Sequence, residues 1–271
     1  MSDNAAPLGV FDSGLGGLTV VRALREACPN ESILYLGDTA RVPYGTKSAE
    51  TVVRYAIGCA RQLTSRGVKA LVVACNTVSA VAIDMLRVEL DLPVLGVIGP
   101  GARAGVEASA GGTVGVLATP GCVASGAYPR AVASVSTRTL VVQQAAPLFV
   151  ALAEEGWLEG DVPRLVARRY VEPLVSAGAR AIVLGCTHFP LLRAPIADAA
   201  AELAGAPVPV VDSAQATARE VAAFLAERGL EAGRRGGACL DLFVTDLPKS
   251  FESVASRFLG GNVERVEQVD L

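Results

Sequence analysis

Two cysteines stand in matching frames. Cys75 follows the apolar run Ala70–Ala74 and leads into Asn76-Thr77; Cys186 follows Ala179–Gly185 and leads into Thr187-His188. In both places a strand-like stretch ends at a thiol, a hydroxyl residue comes next, and a helical pattern begins. Two thiols in one local frame suggest two half-sites facing each other. Inverting a tetrahedral carbon by proton transfer needs a base on one face and an acid on the other. Two thiols can serve if one is a thiolate while its partner is protonated. A free thiol has a pKa of about 8.5 and is a few per cent ionised at neutrality. A helix N-terminus beside Cys75 and Cys186 would favour the thiolate. Asp12, Glu154 and His188 could relay or orient protons. The backbone N–H groups at such corners, with the hydroxyls of Ser13, Thr77, Thr119 and Thr187, make seats for a carboxylate. Among these motif loops only R-V-P-Y-G (41–45) carries an arginine, so an anion would be held largely by amides and hydroxyls.

Other chemistries compete for the same residues. Gly14-Leu15-Gly16-Gly17-Leu18-Thr19 resembles a nucleotide loop after a first strand, and Asp38 ends the next strand where a ribose-binding acid would sit. Thr19, however, replaces the third glycine, and a tight turn that lets a helix approach the sheet explains the rest. Cys186-x-His188 could give two metal ligands and Cys75 a third, but zinc sites use closer ligand pairs and His188 is the only histidine. A redox dithiol would want a resolving thiol nearby. Each residue also has a plain role: Asn76 and Thr77 as helix caps, Asp12-Ser13 and Asp212-Ser213 as turn residues, Glu154 and Glu155 as solvated charges, His188 as a core histidine.

The elements that must position these groups alternate. Strands read at Leu8–Phe11, Ile33–Leu36, Ala70–Ala74, Val94–Val97, Thr113–Ala118, Leu140–Gln143, Ala179–Gly185, Val208–Val211 and Leu240–Val244, with helical patterns between them. Strands alternating with helices of this length predict parallel α/β sheets whose ligands gather beyond the carboxyl ends of the strands. One helix is expected from Cys75 to about Leu90, and another from Cys186 to Leu203. Gly99-Pro100-Gly101 reads as punctuation and a candidate domain boundary.

Composition narrows the class. Hydrophobic residues make up 51% and aromatics 5%, a small-residue, closely packed α/β composition. The mean hydropathy of +0.43 raises the question of a membrane, but no run reaches the length of a span. The start, Met1-Ser2-Asp3-Asn4, has no secretory pattern. A net charge of −3 with mixed signs gives no footprint for nucleic acid. The six cysteines are scattered, which reads as reduced cytosolic thiols, with Cys28, Cys59 and Cys239 as small buried hydrophobes.

At the residues singled out, the chain closely resembles the glutamate racemases of the aspartate/glutamate racemase superfamily. The matching blocks are G-V-F-D-S-G-L-G-G-L (9–18), L-G-D-T-A-R-V-P-Y-G (36–45), A-C-N-T (74–77) and G-C-T-H-F-P-L-L (185–192). The resemblance implies two α/β domains with largely parallel sheets facing each other across the substrate, residues 1–98 completed by 212–271 and residues 99–211. It implies interconversion of L- and D-glutamate for peptidoglycan without pyridoxal phosphate, metal or nucleotide, in a cytoplasmic enzyme that is often a homodimer. Cys75 would take the proton from D-glutamate and Cys186 from L-glutamate, assisted by Asp12, Glu154 and His188. Asp12, Ser13, Tyr44, Gly45, Asn76, Thr77, Thr119, Thr187 and His188 match substrate-contacting positions. The family usually reads A-T-x-x-T-V where this chain has Ala118-Thr119-Pro120-Gly121-Cys122-Val123. Cys122 would thus replace a substrate-facing hydroxyl with a poorer donor and weaken binding by about 0.5–1.5 kcal/mol.

Overall fold

The structure, a computed structural model, describes residues 4–233, 237–247, 251–263 and 265–271. Met1–Asp3, where the sequence was read for a secretory pattern, lie outside them. The first part of the chain runs β1 (Leu8–Asp12), α1 (Leu18–Ala27), β2 (Ile33–Gly37), α2 (Ala49–Thr64), β3 (Ala70–Val73), α3 (Asn76–Val81), α4 (Ile83–Glu89) and β4 (Val94–Gly96). There follow α5 (Ile98–Ala108), β5 (Thr113–Ala118), α6 (Pro120–Ser125), α7 (Ala127–Val135), β6 (Val141–Ala145), α8 (Leu148–Glu155), α9 (Asp161–Ser176), β7 (Ala179–Gly185), α10 (Arg193–Ala204) and β8 (Val210–Asp212). The chain closes with α11 (Ser213–Arg228), β9 (Leu240–Val244), α12 (Phe251–Leu259) and β10 (Val266–Gln268).

The strands form two sheets, a six-stranded one in the order β10-β9-β2-β1-β3-β4 and a four-stranded one in the order β6-β5-β7-β8. Every ladder among the described residues is parallel. Strands covered by helices on both faces must be apolar throughout, and β1, β3 and most of β7 are continuously buried. Register then decides where chemistry can sit. Phe11 lies opposite Val73, so Asp12-Ser13 and Ala74-Cys75 leave the first sheet side by side. Ala118 lies opposite Gly185, so Thr119 and Cys186 leave the second sheet together. One apolar core runs under one face of each sheet, joined by α1, α11 and α12. Among the described residues no helix is long and apolar enough to cross a membrane.

Local expectations need four corrections. The helix after Cys75 is two pieces meeting at Ala82. Its first piece is held to the strand ends by Ser79, whose hydroxyl donates to Val73 O and accepts from Val97 N–H. After Cys186 the chain makes a single 3-10 turn, Phe189–Leu192, and α10 starts only at Arg193. Pro190 and Pro195 remove two N–H donors and explain the late start. Gly99-Pro100-Gly101, punctuation in the sequence, does not break a helix but lies in the first turn of α5, where proline loses nothing by lacking an N–H. Gly101 there faces Ser213 Cβ, 3.1 Å from where its own Cβ would be, so the glycine permits close packing of α5 on α11. Finally, Cys28 and Cys59 are buried as expected, but Cys239 is exposed just before β9.

Candidate active site

A cavity of about 290 Å³ opens between the carboxyl edges of the two sheets. From the first sheet's loops it receives Ser13, Tyr44, Gly45, Cys75, Asn76 and Thr77. From the second it receives Thr119, Glu154, Cys186, Thr187 and His188. Both thiols therefore line one space. Asp12 and Cys122 do not.

Cys75 caps α3 at the end of β3 and is 5% exposed, its Sγ 3.3 Å from Ser13 Oγ. Burial, reinforced by the nearby Asp12 charge, pushes this thiol up to about 12. The Ser13 hydroxyl and the Val78 amide pull the other way, as a helix N-terminus should, but burial wins. Cys75 is thus a protonated thiol at neutral pH, where the sequence alone had suggested a favoured thiolate. Asp12 lies behind it, 1% exposed, with Oδ2 accepting from the Gly14 N–H at 3.1 Å. Its burial raises its own pKa, opposed by His188 and by the amides of Gly17, Gly14 and Ser13.

Cys186 sits at the end of β7, 6% exposed, with Sγ 3.8 Å from His188 Nδ1. His188 Nε2 lies 3.0 Å from Glu154 Oε1 on α8. Burial pulls the imidazole pKa down, but the contacts with Cys186 and Glu154 outweigh it and bring it to about 10. A neutral-pH His188 is therefore cationic, facing a thiol on one side and a carboxylate on the other. Glu155, next along, is exposed.

The glycine loop acts as a spacer. A Cβ on Gly16 would collide with His188 Nδ1 and Thr187 Oγ1, and one on Gly17 would meet Asp12 Cβ at 2.5 Å. Gly45 similarly admits Thr119, whose Cβ lies 3.0 Å from the position of the missing one. The gap so closed is bridged by hydrogen bonds. Thr19 Oγ1 donates to Thr187 O at 2.9 Å, Asn76 Nδ2 donates to Tyr128 Oη at 2.9 Å, and the Thr77 and Thr119 hydroxyls lie 2.9 Å apart.

Asp38, read as a possible ribose acid, is fully buried and already occupied. It accepts from Tyr44 Oη, from Arg41 Nε at 3.0 Å and from Thr245 Oγ1 at 2.8 Å. It orders the R-V-P-Y-G loop, so the dinucleotide reading loses its acid. Arg41 is spent on Asp38 and on the face of Tyr55, 4.4 Å away. Among the described residues the cavity wall holds no lysine or arginine, and no three His, Cys, Asp or Glu side chains are grouped to hold a metal ion.

Cys122 corrects an expectation. Its side chain is fully buried with Ile98, Val116, Tyr128 and Val132, and only its N–H reaches toward the site, donating to Thr119 Oγ1 at 3.3 Å. A thiol is a small apolar group that fits such a position. The sequence reading also missed Pro147, Val150 and Ala151, which line the cavity. Pro147, the N-cap of α8, and Val150, Ala151 and Glu154 within it share one helical face through their three- and four-residue separations, and that spacing was the available signal.

The sequence profile of the Asp/Glu/Hydantoin racemase family matches residues 9–221. The chain is 47% identical to the glutamate racemase of Geobacter metallireducens, over 97% of this chain and 96% of that one. It superposes on the crystal structure of glutamate racemase from Francisella tularensis in complex with D-glutamate with a TM-score of 0.90, at 35% identity and 98% coverage of each chain. For glutamate racemase from Thermus thermophilus in complex with beta-chloro-D-alanine the TM-score is 0.89, at 45% identity, over 99% of this chain and 98% of that one.

Proposed function

This chain belongs to the Asp/Glu/Hydantoin racemase family, and from that membership we propose that it is a glutamate racemase working through Cys75 and Cys186. The observation that carries the reading is that two thiols from two sheets line a single cavity, each with its own proton-managing neighbours.

L-glutamate binds with its carboxylates on backbone N–H groups and on hydroxyls such as Ser13, Thr77, Thr119 and Thr187. Cys186 as thiolate, its charge balanced by the His188 cation, removes the α-proton. Cys75, which burial keeps protonated, delivers its proton to the opposite face. D-glutamate leaves, and the thiols have exchanged states. The reverse reaction starts from that exchanged state, with Asp12 and Ser13 handling the proton on the Cys75 side. Holding the α-carbon between two groups of matched roles replaces two bimolecular proton transfers by positioned ones. Asn76 Oδ1, buried without a protein partner, is an acceptor for the substrate ammonium. Tyr44 and Gly45 fix the loop over the substrate.

The chain is read as two domains, 1–98 with 212–271 and 99–211. The product is D-glutamate for peptidoglycan, made in the cytoplasm by a homodimer without cofactor.

Exchange of the α-proton in heavy water tests this reading, with enzyme dialysed against chelator. L- and D-glutamate should both exchange and interconvert, while aspartate and hydantoins should not. Exchange of aspartate or a hydantoin in preference to glutamate would reassign the substrate. Absence of exchange with every amino acid would end the reading.

A further inference from the structure

The two proton-handling groups on the Cys186 side are both held from outside by one short helix. Glu154 lies in the last turn of α8, where backbone carbonyls lack helical partners. The helix stops at Gly156, which has φ +77°, and Trp157 N–H returns to Leu152 O at 2.8 Å. Two carbonyls of this turn, one of them already accepting from the Gly156 N–H, also receive a distant side chain. Arg257 Nη1, on α12, donates to Ala153 O at 3.1 Å and to Glu154 O at 2.5 Å. A Cβ on Gly156 would stand 2.6 Å from Arg257 Nη2, so the glycine also makes the seat for the guanidinium. A cation at this end of α8 suits the helix dipole. The next residue of α12, Phe258, is fully buried and sets its ring edge-on to His188, with centroids 5.1 Å apart and planes at 77°. The Glu154–His188 pair, half-exposed at its carboxylate, is thus braced at both members by consecutive residues.

We propose that Arg257 and Phe258 are positioning residues for the Cys186 half-reaction: α12 fixes the Glu154 backbone and the His188 ring, and through them the groups that face the Cys186 thiol. The contacts that Arg257 and Phe258 make here are with Ala153, Glu154 and His188, on the Cys186 side of the cavity. The larger effect therefore falls on the Cys186 proton transfer, with a smaller one reaching Asp12 through the His188 charge. The inference rests on the racemase reading above.

The two roles are separable because enantiomers have equal energy, so kcat/KM must be equal in the two directions for any variant. A loss confined to Cys186 cannot appear as a difference in kcat/KM, but it does appear in isotope effects. With α-deuterated L-glutamate the label moves at the Cys186 step; with α-deuterated D-glutamate it moves at the Cys75 step.

Arg257→Met should lower kcat/KM equally in both directions, by about 10- to 10²-fold, the scale of a misplacement near 1 Å. The primary isotope effect should rise for deuterated L-glutamate and fall for deuterated D-glutamate. Arg257→Lys, which keeps a cationic donor, should restore part of both. Isotope effects that stay at wild-type values, or move together, would overturn the proposal and leave α12 a purely structural prop. If Arg257→Met does not fold, the same split, or its absence, in Phe258→Leu decides. A wild-type protein that fails to racemise glutamate would instead remove the underlying reading, and that control is run first.

Discussion

Around Cys75 the supporting groups come from the carboxyl edge of a single sheet. Asp12 ends β1 and Ser13 follows it, Cys75 follows β3, and the carboxylate behind them is sealed from solvent and held by backbone N–H groups. Around Cys186 the support is assembled from distant stretches: His188 two residues on, Glu154 from α8, and α12 bracing both. One side keeps its proton through burial beside a negative charge; the other gathers a cation between two acids. A reaction that must run both ways has thus been given two unlike acid–base devices, one rigid and local, the other modular.

Removing either thiol should have the largest effect. Cys75→Ser and Cys186→Ser should each lower racemisation by about 10²–10⁴-fold or more, the usual scale of a positioned acid or base. The sharper measurement is α-proton exchange. Cys186→Ser should retain some exchange of D-glutamate only, and Cys75→Ser of L-glutamate only. Exchange of the opposite enantiomer in either variant would reverse the assignment of faces.

Gly16→Ala tests whether the two devices need their close approach. The new methyl collides with His188 and Thr187, so stability should fall by about 1–3 kcal/mol and activity with it. Thermal unfolding and an activity assay with equal losses at Gly58, where a Cβ meets nothing, would contradict this.

The pH dependence of stability should separate the two sides. His188 has a folded pKa raised from 6.5 to about 10, so its stabilisation is full below pH 6.5 and lost as pH rises through 10. Cys75 is raised from 9.0 to about 12, so its contribution is lost later, between those values. Melting curves of His188→Asn should approach those of wild type across the first window, and curves of Cys75→Ser across the second. Coincident windows would mean that the two sides titrate as one unit.

Cys122→Thr should have the smallest effect. With the thiol in the core, KM should stay at the wild-type value; a fall in KM would return this position to the substrate.

Much of this arrangement was legible in the chain itself. Strands buried on both faces leave unbroken apolar runs, and the residues just past β1, β3, β5 and β7 were readable as the places where ligands gather. What could not be read depends on which elements meet. Asp38 looks like a strand-end acid until Tyr44, Arg41 and Thr245 are seen to occupy it. Gly99-Pro100-Gly101 looks like a break because the partner that rewards a bare helical surface, Ser213 on α11, lies far along the chain. Cys122 aligned with a polar family position, but a motif does not say which way a short helix has turned. The role of Arg257 depends on α12 returning to the end of α8, which no local pattern encodes.

The chain passes between its two sheets twice, after Val97 into α5 and after Asp212 into α11, and these two helices lie against each other, pinned by Arg103 and Glu220. Two crossings set side by side, like adjacent pins of one door, are expected to favour rotation about a single axis over twisting or sliding. Any widening of the cleft would then swing Cys186 away from Cys75 along one arc and return it along the same arc, so the spacing between sulfurs is restored at each closure. Distances between spin labels in two pairs, α2 with α9 and α4 with α7, with and without D-glutamate, should change together; independent changes in the two pairs would show that the pins do not hold.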